Sequence, residues 1–310
     1  ESCLSYGFRA LKRRCARAIK LSADGLMRSL RQMKSRSKDG RKRIGVFDSG
    51  FGGLTILKGI VQELPKYDYV YLGDTARTPY GTRSPEVVYE FTKQAVDFLF
   101  THGSELILFA CNTASSDALR KIQREYIPKR YPGKKVLGVL IPAAEEAVRV
   151  TKRGRIGVIA TEGTVLSDAF PRELSKLDSR IRVFQKACPL LVPLIEAGEH
   201  RTPAARLILK NYLRPLLLKH IDTLILGCTH YGIIERDIRK ITGKNVRIIS
   251  EGSVVPRKLK KYLAGHSDVE QKLSRGGHIA FYSTAATNKF ERLGSVFFGK
   301  KIHVKRAALL

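Results

Sequence analysis

From residue 43 onward the chain carries short, continuous apolar runs, at 44–47, 68–72, 106–110, 136–139, 156–159, 223–226 and 246–249, separated by longer amphipathic stretches. No other feature restricts the fold as much. A strand with one face in water alternates apolar and polar residues, whereas a strand covered on both faces does not. Unbroken β-branched and Leu-rich runs therefore predict largely parallel sheets with helices on both sides. The stretches between them read as helices at 85–102, 143–150 and 202–218. Pro85 follows Ser84 in the first-turn position that tolerates a missing N–H. At about 100–200 residues per domain, 310 residues predict two α/β domains.

A weak internal repeat runs through this pattern. Arg43-Ile-Gly-Val opens one half and Cys111 follows 68 residues later; Arg155-Ile-Gly-Val opens another and Cys228 follows 73 residues later. Each cysteine ends an apolar run, in Leu106-Ile-Leu-Phe-Ala-Cys-Asn-Thr and in Leu224-Ile-Leu-Gly-Cys-Thr-His. Strand ends of this kind recur by chance in α/β proteins, but opening strand, spacing and cysteine recur together, which favours duplication.

Ligands of parallel α/β sheets sit beyond the carboxyl ends of the strands, where both cysteines fall. Two related halves would each present one thiol to a cleft. Thiols on opposite faces of one carbon can move a proton from one face to the other, and a thiol pKa of about 8.5 needs only modest tuning. Three rivals stand beside this reading. Buried cysteine is by default a small hydrophobe, and Cys188, in Ala187-Cys188-Pro189, keeps that default. Cys111, Cys228 and His230 could bind a metal, although no closely spaced ligand pair is present. A cysteine nucleophile with His230 as base would leave the second cysteine without a role.

The run Asp48-Ser-Gly-Phe-Gly-Gly53 follows the first strand and precedes an apolar stretch. Its backbone N–H groups could meet an anion at a helix N-terminus. The run has neither GxGxxG spacing nor a following GK[ST], so a carboxylate or small phosphate fits better than a nucleotide. Asp48 reads equally as a helix cap or as an acid near the chemistry.

Charge separates residues 1–43 from the rest. The chain has 57 Lys+Arg against 28 Asp+Glu, net +29, and the first 43 residues hold 14 of the cations and three of the acids. Phe8, Leu11, Cys15, Ala18 and Ile19 recur there at roughly helical spacing. Such a segment suits a membrane surface, a nucleic acid, an acidic partner, a transit peptide or a solvated extension. No apolar run approaches the roughly 18 residues of a membrane span. Five cysteines, an odd number, argue against a disulfide framework and for a reducing cytoplasm.

Four motifs in order, Asp48-Ser-Gly-Phe-Gly-Gly, Gly73-Asp-Thr-Ala-Arg-Thr-Pro-Tyr-Gly-Thr-Arg-Ser84, Ala110-Cys-Asn-Thr-Ala-Ser115 and Gly227-Cys-Thr-His-Tyr231, together resemble glutamate racemases. The resemblance covers about residues 43–303. It implies two similar α/β domains with the site in the cleft between them: 1–43 an extension, 44–135 plus 250–303 the first domain, 136–249 the second. It implies cofactor-independent racemisation of L-glutamate to D-glutamate for peptidoglycan, in the cytoplasm, with no metal. Cys111 and Cys228 become the two acid/base thiols, the first acting on D-glutamate and the second on L-glutamate. Asp48 would assist Cys111; Glu196 and His230 would assist Cys228. Asp48, Ser49, Pro79, Tyr80, Gly81, Asn112, Thr113, Thr229 and His230 would hold the substrate. Tyr80 also reads as ordinary core packing. A homodimer and control by a peptidoglycan precursor are the expected associations.

Two stretches depart from the family pattern. Gly232-Ile-Ile follows Tyr231 where Pro-Leu is usual, and Ser250-Glu-Gly-Ser replaces Asp-Ser-Ala. Both are expected at helix starts near the cleft rather than on the acid/base residues. A different class of function, nucleic-acid or partner binding through the basic tail, rests on charge alone, since no binding motif is visible.

Overall fold

A computed structural model describes residues 40–285 and 287–309. The basic segment 1–39, with its expected helix and its anion-binding and transit readings, lies outside the described residues.

Among the described residues ten strands form two sheets, and every paired neighbour is parallel. The first sheet comprises β1 (Arg43–Asp48), β2 (Tyr69–Gly73), β3 (Ser104–Phe109), β4 (Lys135–Gly138), β9 (Ile279–Ser283) and β10 (Val304–Arg306), in the order β10-β9-β2-β1-β3-β4. The second comprises β5 (Arg155–Ala160), β6 (Arg182–Ala187), β7 (Thr223–Gly227) and β8 (Arg247–Ile249), in the order β6-β5-β7-β8. The segment β2-β1-β3-β4 has the same connectivity as β6-β5-β7-β8, which supports duplication. Cys111 follows β3 and Cys228 follows β7, the equivalent strand of each copy.

The longer helices are α1 (Gly53–Glu63), α2 (Pro85–Thr101), α3 (Asn112–Asp117), α4 (Leu140–Val150), α5 (Glu162–Leu166), α6 (Ala169–Leu177), α7 (Leu191–Glu196), α8 (Pro203–Leu217), α9 (Glu235–Thr242), α10 (Glu251–Gly265) and α11 (Thr287–Phe298). They cover both sheet faces. Ile44 and Val46 of β1 pack with Leu54 and Leu57 of α1 and Leu259 of α10, while Phe47 turns to Val96 and Leu99 of α2. In β5, Ile156 and Val158 meet Ala143 and Ala147 of α4 and Phe170 of α6, and Ile159 faces Leu209 and Leu213 of α8. Burial on both faces is why these runs do not alternate. Helix starts obey local chemistry: the Val87 N–H donates to Ser84 Oγ at 3.5 Å ahead of Pro85, and the Ala205 N–H to Thr202 Oγ1 at 3.2 Å ahead of Pro203.

Three expected boundaries shift. β4 pairs with β3, so the division at 136 falls inside a strand of the first sheet. β10 continues that sheet beyond 303. Arg43, counted with the extension, is the buried first residue of β1, and its guanidinium donates to the His102 carbonyl at 3.0 Å.

The two domains share a core. One apolar cluster runs from Ile44 and Leu57 through Tyr231 and Ile234 to Leu213 and Leu226. Helix α10 carries the chain from the second sheet back to the first and lies on α1. There Gly59 sits so close that a Cβ would press on the Gly252 carbonyl and lie 2.9 Å from Pro256 Cγ. No helix among the described residues is long and apolar enough to cross a membrane.

Candidate active site

Cys111 is the N-cap of α3: its Sγ accepts the Ala114 N–H at 3.5 Å and lies 3.3 Å from Ser49 Oγ. Cys228 begins the turn Thr229–Ile234, with Sγ 3.8 Å from His230 Nδ1. Both thiols are buried, at 5% and 7% exposure. Each ends an equivalent strand, so duplication brings them to the same seam from opposite domains.

The Gly-rich turn forms one contact across that seam. A Cβ on Gly52 would collide with Thr229 Oγ1 and approach His230 N to 2.8 Å, so only glycine allows the turn to lie flat on Thr229-His230. The N-cap of α1 is Gly52 rather than Asp48, whose two oxygens take different partners. Its Oδ2 accepts the Gly50 N–H at 3.0 Å and shapes the turn, while its Oδ1 accepts from Thr229 Oγ1 at 3.4 Å across the seam. His230 Nε2 donates to Glu196 Oε1 at 3.0 Å, at the end of α7. The other ring nitrogen, Nδ1, faces the Cys228 thiol and lies 3.4 Å from Thr229 Oγ1. A second contact joins Thr113 Oγ1 to Thr161 Oγ1 at 3.0 Å and to Thr164 Oγ1 at 3.4 Å.

Burial dominates the electrostatics. It pushes the Cys111 thiol up to about 12, aided by Asp48 and opposed by Ser49 and the Ala114 N–H. The Cys228 thiol is likewise raised well above the usual thiol range, again first by burial. The His230 backbone N–H opposes the rise, while Cys111, Asp48 and Glu251 add to it. The Cys228 thiol thus senses charge from the other domain. Asp48 is also raised by burial, against the pull of His230 and the Gly53 and Gly50 N–H groups.

Ser49, Asn112, Thr113, Thr229 and His230 are all buried around the two thiols. Pro79, Tyr80 and Gly81 lie on the Thr161 side, where the space at Gly81 is bounded by the Thr161 side chain. The Tyr80 hydroxyl is committed to Asp74 Oδ2 at 2.5 Å and its ring packs against Phe47 and Phe91. Cys188 is buried, its thiol directed at the Lys186 carbonyl at 3.5 Å. Among the described residues no three His, Cys, Asp or Glu side chains are grouped to hold a metal. Beside Cys228 lies a cavity of about 10 Å³ lined by Thr55, Thr229, Ser250 and Glu251, room for about one water.

Sequence reasoning did not single out Thr161, Thr164 or Glu251. The repeat held the signal for the first two, because Thr161 follows β5 as Ser49 follows β1. Glu251 corrects an expectation. The Ser250-Glu-Gly-Ser departure does not stay clear of the chemistry: Glu251 Oε2 accepts from Asn112 Nδ2 at 2.8 Å, and an ionised Glu251 would raise the Cys228 thiol.

Comparison with known proteins agrees with this geometry. The Asp/Glu/Hydantoin racemase family model matches residues 44–255. The glutamate racemase of Geobacter metallireducens is 40% identical over 262 residues, 84% of this chain and 94% of that protein. The crystal structure of glutamate racemase isoform RacE1 from Bacillus anthracis superposes with a TM-score of 0.80 at 36% identity, covering 86% of this chain and 98% of that one. Escherichia coli glutamate racemase, solved with L-glutamate and the activator UDP-MurNAc-Ala, gives 0.71 at 26% identity, covering 87% and 99%. The chain therefore belongs to the Asp/Glu/hydantoin racemase family, among its glutamate racemases, and is an isomerase.

Proposed function

We propose that the chain interconverts L- and D-glutamate by moving one proton between the faces of the α-carbon, without a cofactor, using Cys228 on the L side and Cys111 on the D side. The observation that carries this reading is the matched placement of the two thiols, buried after equivalent strands of duplicated domains. In the L-to-D direction the Cys228 thiolate takes the α-proton and the C–H electron pair stays on carbon. The Cys111 S–H then protonates the opposite face and becomes a thiolate. Return of protons through solvent resets the pair, and the reverse direction exchanges the roles.

The surroundings suit such a step. Burial makes either thiolate costly and therefore strongly basic once formed, matched to a weakly acidic α-hydrogen. Ser49 and the Ala114 N–H stabilise charge on Cys111, and the His230 N–H does so on Cys228. The His230–Glu196 pair gives the Cys228 proton a place to go. Asn112, Thr113, Ser49 and Thr229 offer neutral donors to the substrate carboxylates, and in a site closed to water these count for more than in solution. We assign the product to peptidoglycan synthesis in a reducing cytoplasm, a reading consistent with the free cysteines 111, 188 and 228. A second, regulatory partner of the UDP-MurNAc-peptide class is supported by the activator bound to the E. coli relative.

The test is turnover of each enantiomer by purified protein with no added cofactor. Cys111→Ala and Cys228→Ala should each lose about 10²–10⁴-fold in both directions, as expected for a missing acid or base. Cys188→Ala, the control, should retain its rate. Near wild-type racemisation by either of the first two variants would overturn the reading.

A further inference from the structure

Glu251 is the first residue of α10 and is 3% exposed. It forms no ion pair with any described residue. Its one hydrogen bond is the 2.8 Å contact in which Asn112 Nδ2 donates to Oε2. Two buried atoms of this contact have no partner among the described residues: Oε1 of Glu251 and Oδ1 of Asn112. Both are acceptors if the carboxyl is ionised. A buried carboxylate without a cation and two unmet acceptors side by side are each unfavourable. A single proton relieves both. Placed on Oε1, it turns an orphan acceptor into a donor that the orphan Oδ1 of the same contact can accept, so that carboxylic acid and carboxamide pair through two hydrogen bonds.

We propose that Glu251 is a neutral carboxylic acid paired in this way with Asn112, and that the pair is a positioning device holding Asn112 toward the reacting carbon. The positioning part rests on the racemisation reading. Asn112 directly follows Cys111. With one N–H and its carbonyl engaged by Glu251, its second N–H has a fixed direction and remains available to a substrate carboxylate. A flexible amide would instead have to be ordered at each binding event. The titratable groups facing Glu251 are Asp48 at the end of β1 and Cys228 after β7. Both carry negative charge when ionised, so both favour the protonated acid. Burial, the chief cause, and Asp48 hold the Glu251 carboxyl well above the usual carboxylate range despite the Asn112 N–H. Neutrality also serves the reaction, because an anion here would oppose both the Cys228 thiolate and the incoming carboxylates of glutamate.

Glu251→Gln preserves shape and neutrality, and its amide can replace both hydrogen bonds. Glu251→Ser removes them. The glutamine variant should racemise within about threefold of wild type, whereas the serine variant should lose about tenfold or more in kcat with a smaller change in KM. Thermal unfolding of both variants reports any loss of packing separately. A glutamine variant as impaired as the serine variant would mean that the ionised carboxylate is needed, and a serine variant with wild-type kcat would remove the positioning role; either result overturns the proposal. The infrared difference spectrum of wild type minus Glu251→Gln, on resting protein at neutral pH, needs no turnover. It should show the carbonyl band of a protonated carboxyl, and a carboxylate band in its place overturns the acid–amide pair. Failure of wild type to turn over glutamate would instead count against the racemisation reading.

Discussion

Gly52→Ala tests whether the two domains meet as tightly as the seam requires. Gly52 has φ −58° and ψ −37°, a right-handed helical conformation open to any residue, so alanine brings no backbone strain. The cost is steric. The new Cβ would overlap Thr229 Oγ1 and lie 2.7 Å from His230 Nδ1 and 2.8 Å from His230 N. Comfortable contacts lie near 3.5–4.0 Å, so the turn and the Thr229-His230 segment must separate by about 1 Å. Overpacking of this kind costs about 1–3 kcal/mol. At about 2–4 °C per kcal/mol for domains of this size, Tm should fall by about 2–12 °C. Moving His230 and the adjoining Cys228 by about 1 Å should reduce kcat by roughly 10²-fold. Racemisation followed by circular dichroism, together with thermal unfolding, reads both effects. Gly265→Ala is the control, since nothing lies within 4 Å of its Cβ position. A Gly52→Ala protein with wild-type kcat and Tm would refute the close apposition of the two domains.

Glu196→Gln removes the charge that receives the His230 Nε2 hydrogen at 3.0 Å. Its kcat/KM should fall about 10²-fold, equally in both directions because the equilibrium constant of a racemisation is one; an unchanged rate would take Glu196 out of the mechanism. Burial pushes the Asp117 carboxyl from 3.8 up to about 6, against Ser116 and Arg172. The folded state therefore holds this proton longer than the unfolded state, and wild-type stability falls as pH rises through that window. The Tm of Asp117→Asn minus that of wild type should grow between those two values and level above them, and a pH-independent difference would contradict the assignment.

The central strands were legible because burial on both faces leaves a continuous apolar run, as in Ile44–Phe47 and Thr223–Leu226. The repeat made the equivalence of Cys111 and Cys228 legible before any coordinates, and the shared order β2-β1-β3-β4 and β6-β5-β7-β8 explains why it is there. Strands β6, β9 and β10 were not among the runs read; in β6 and β10 exposed, charged residues break the apolar pattern. Arg182-Val-Phe-Gln-Lys-Ala of β6 is at least partly exposed throughout and carries charges that a central strand would exclude. Within the site, the residues beside each cysteine could be read from local order. The contacts between segments distant in sequence could not: Gly52 meets His230, Thr113 meets Thr161, and Asn112 meets Glu251 across 139 residues of chain. A carboxyl at 251 reads as an ordinary acidic first turn of a helix until folding buries it against an amide.

The most direct test of two thiols acting from opposite faces is the isotope found in the first product formed in deuterated water. Starting from protiated L-glutamate, the account predicts D-glutamate carrying one deuterium at the α-carbon while the remaining L-glutamate is still protiated, because the proton removed by Cys228 is not the one delivered by Cys111. Early D-glutamate that keeps the substrate's own α-proton, or equal labelling of both enantiomers from the start, would point to a single base and contradict the account.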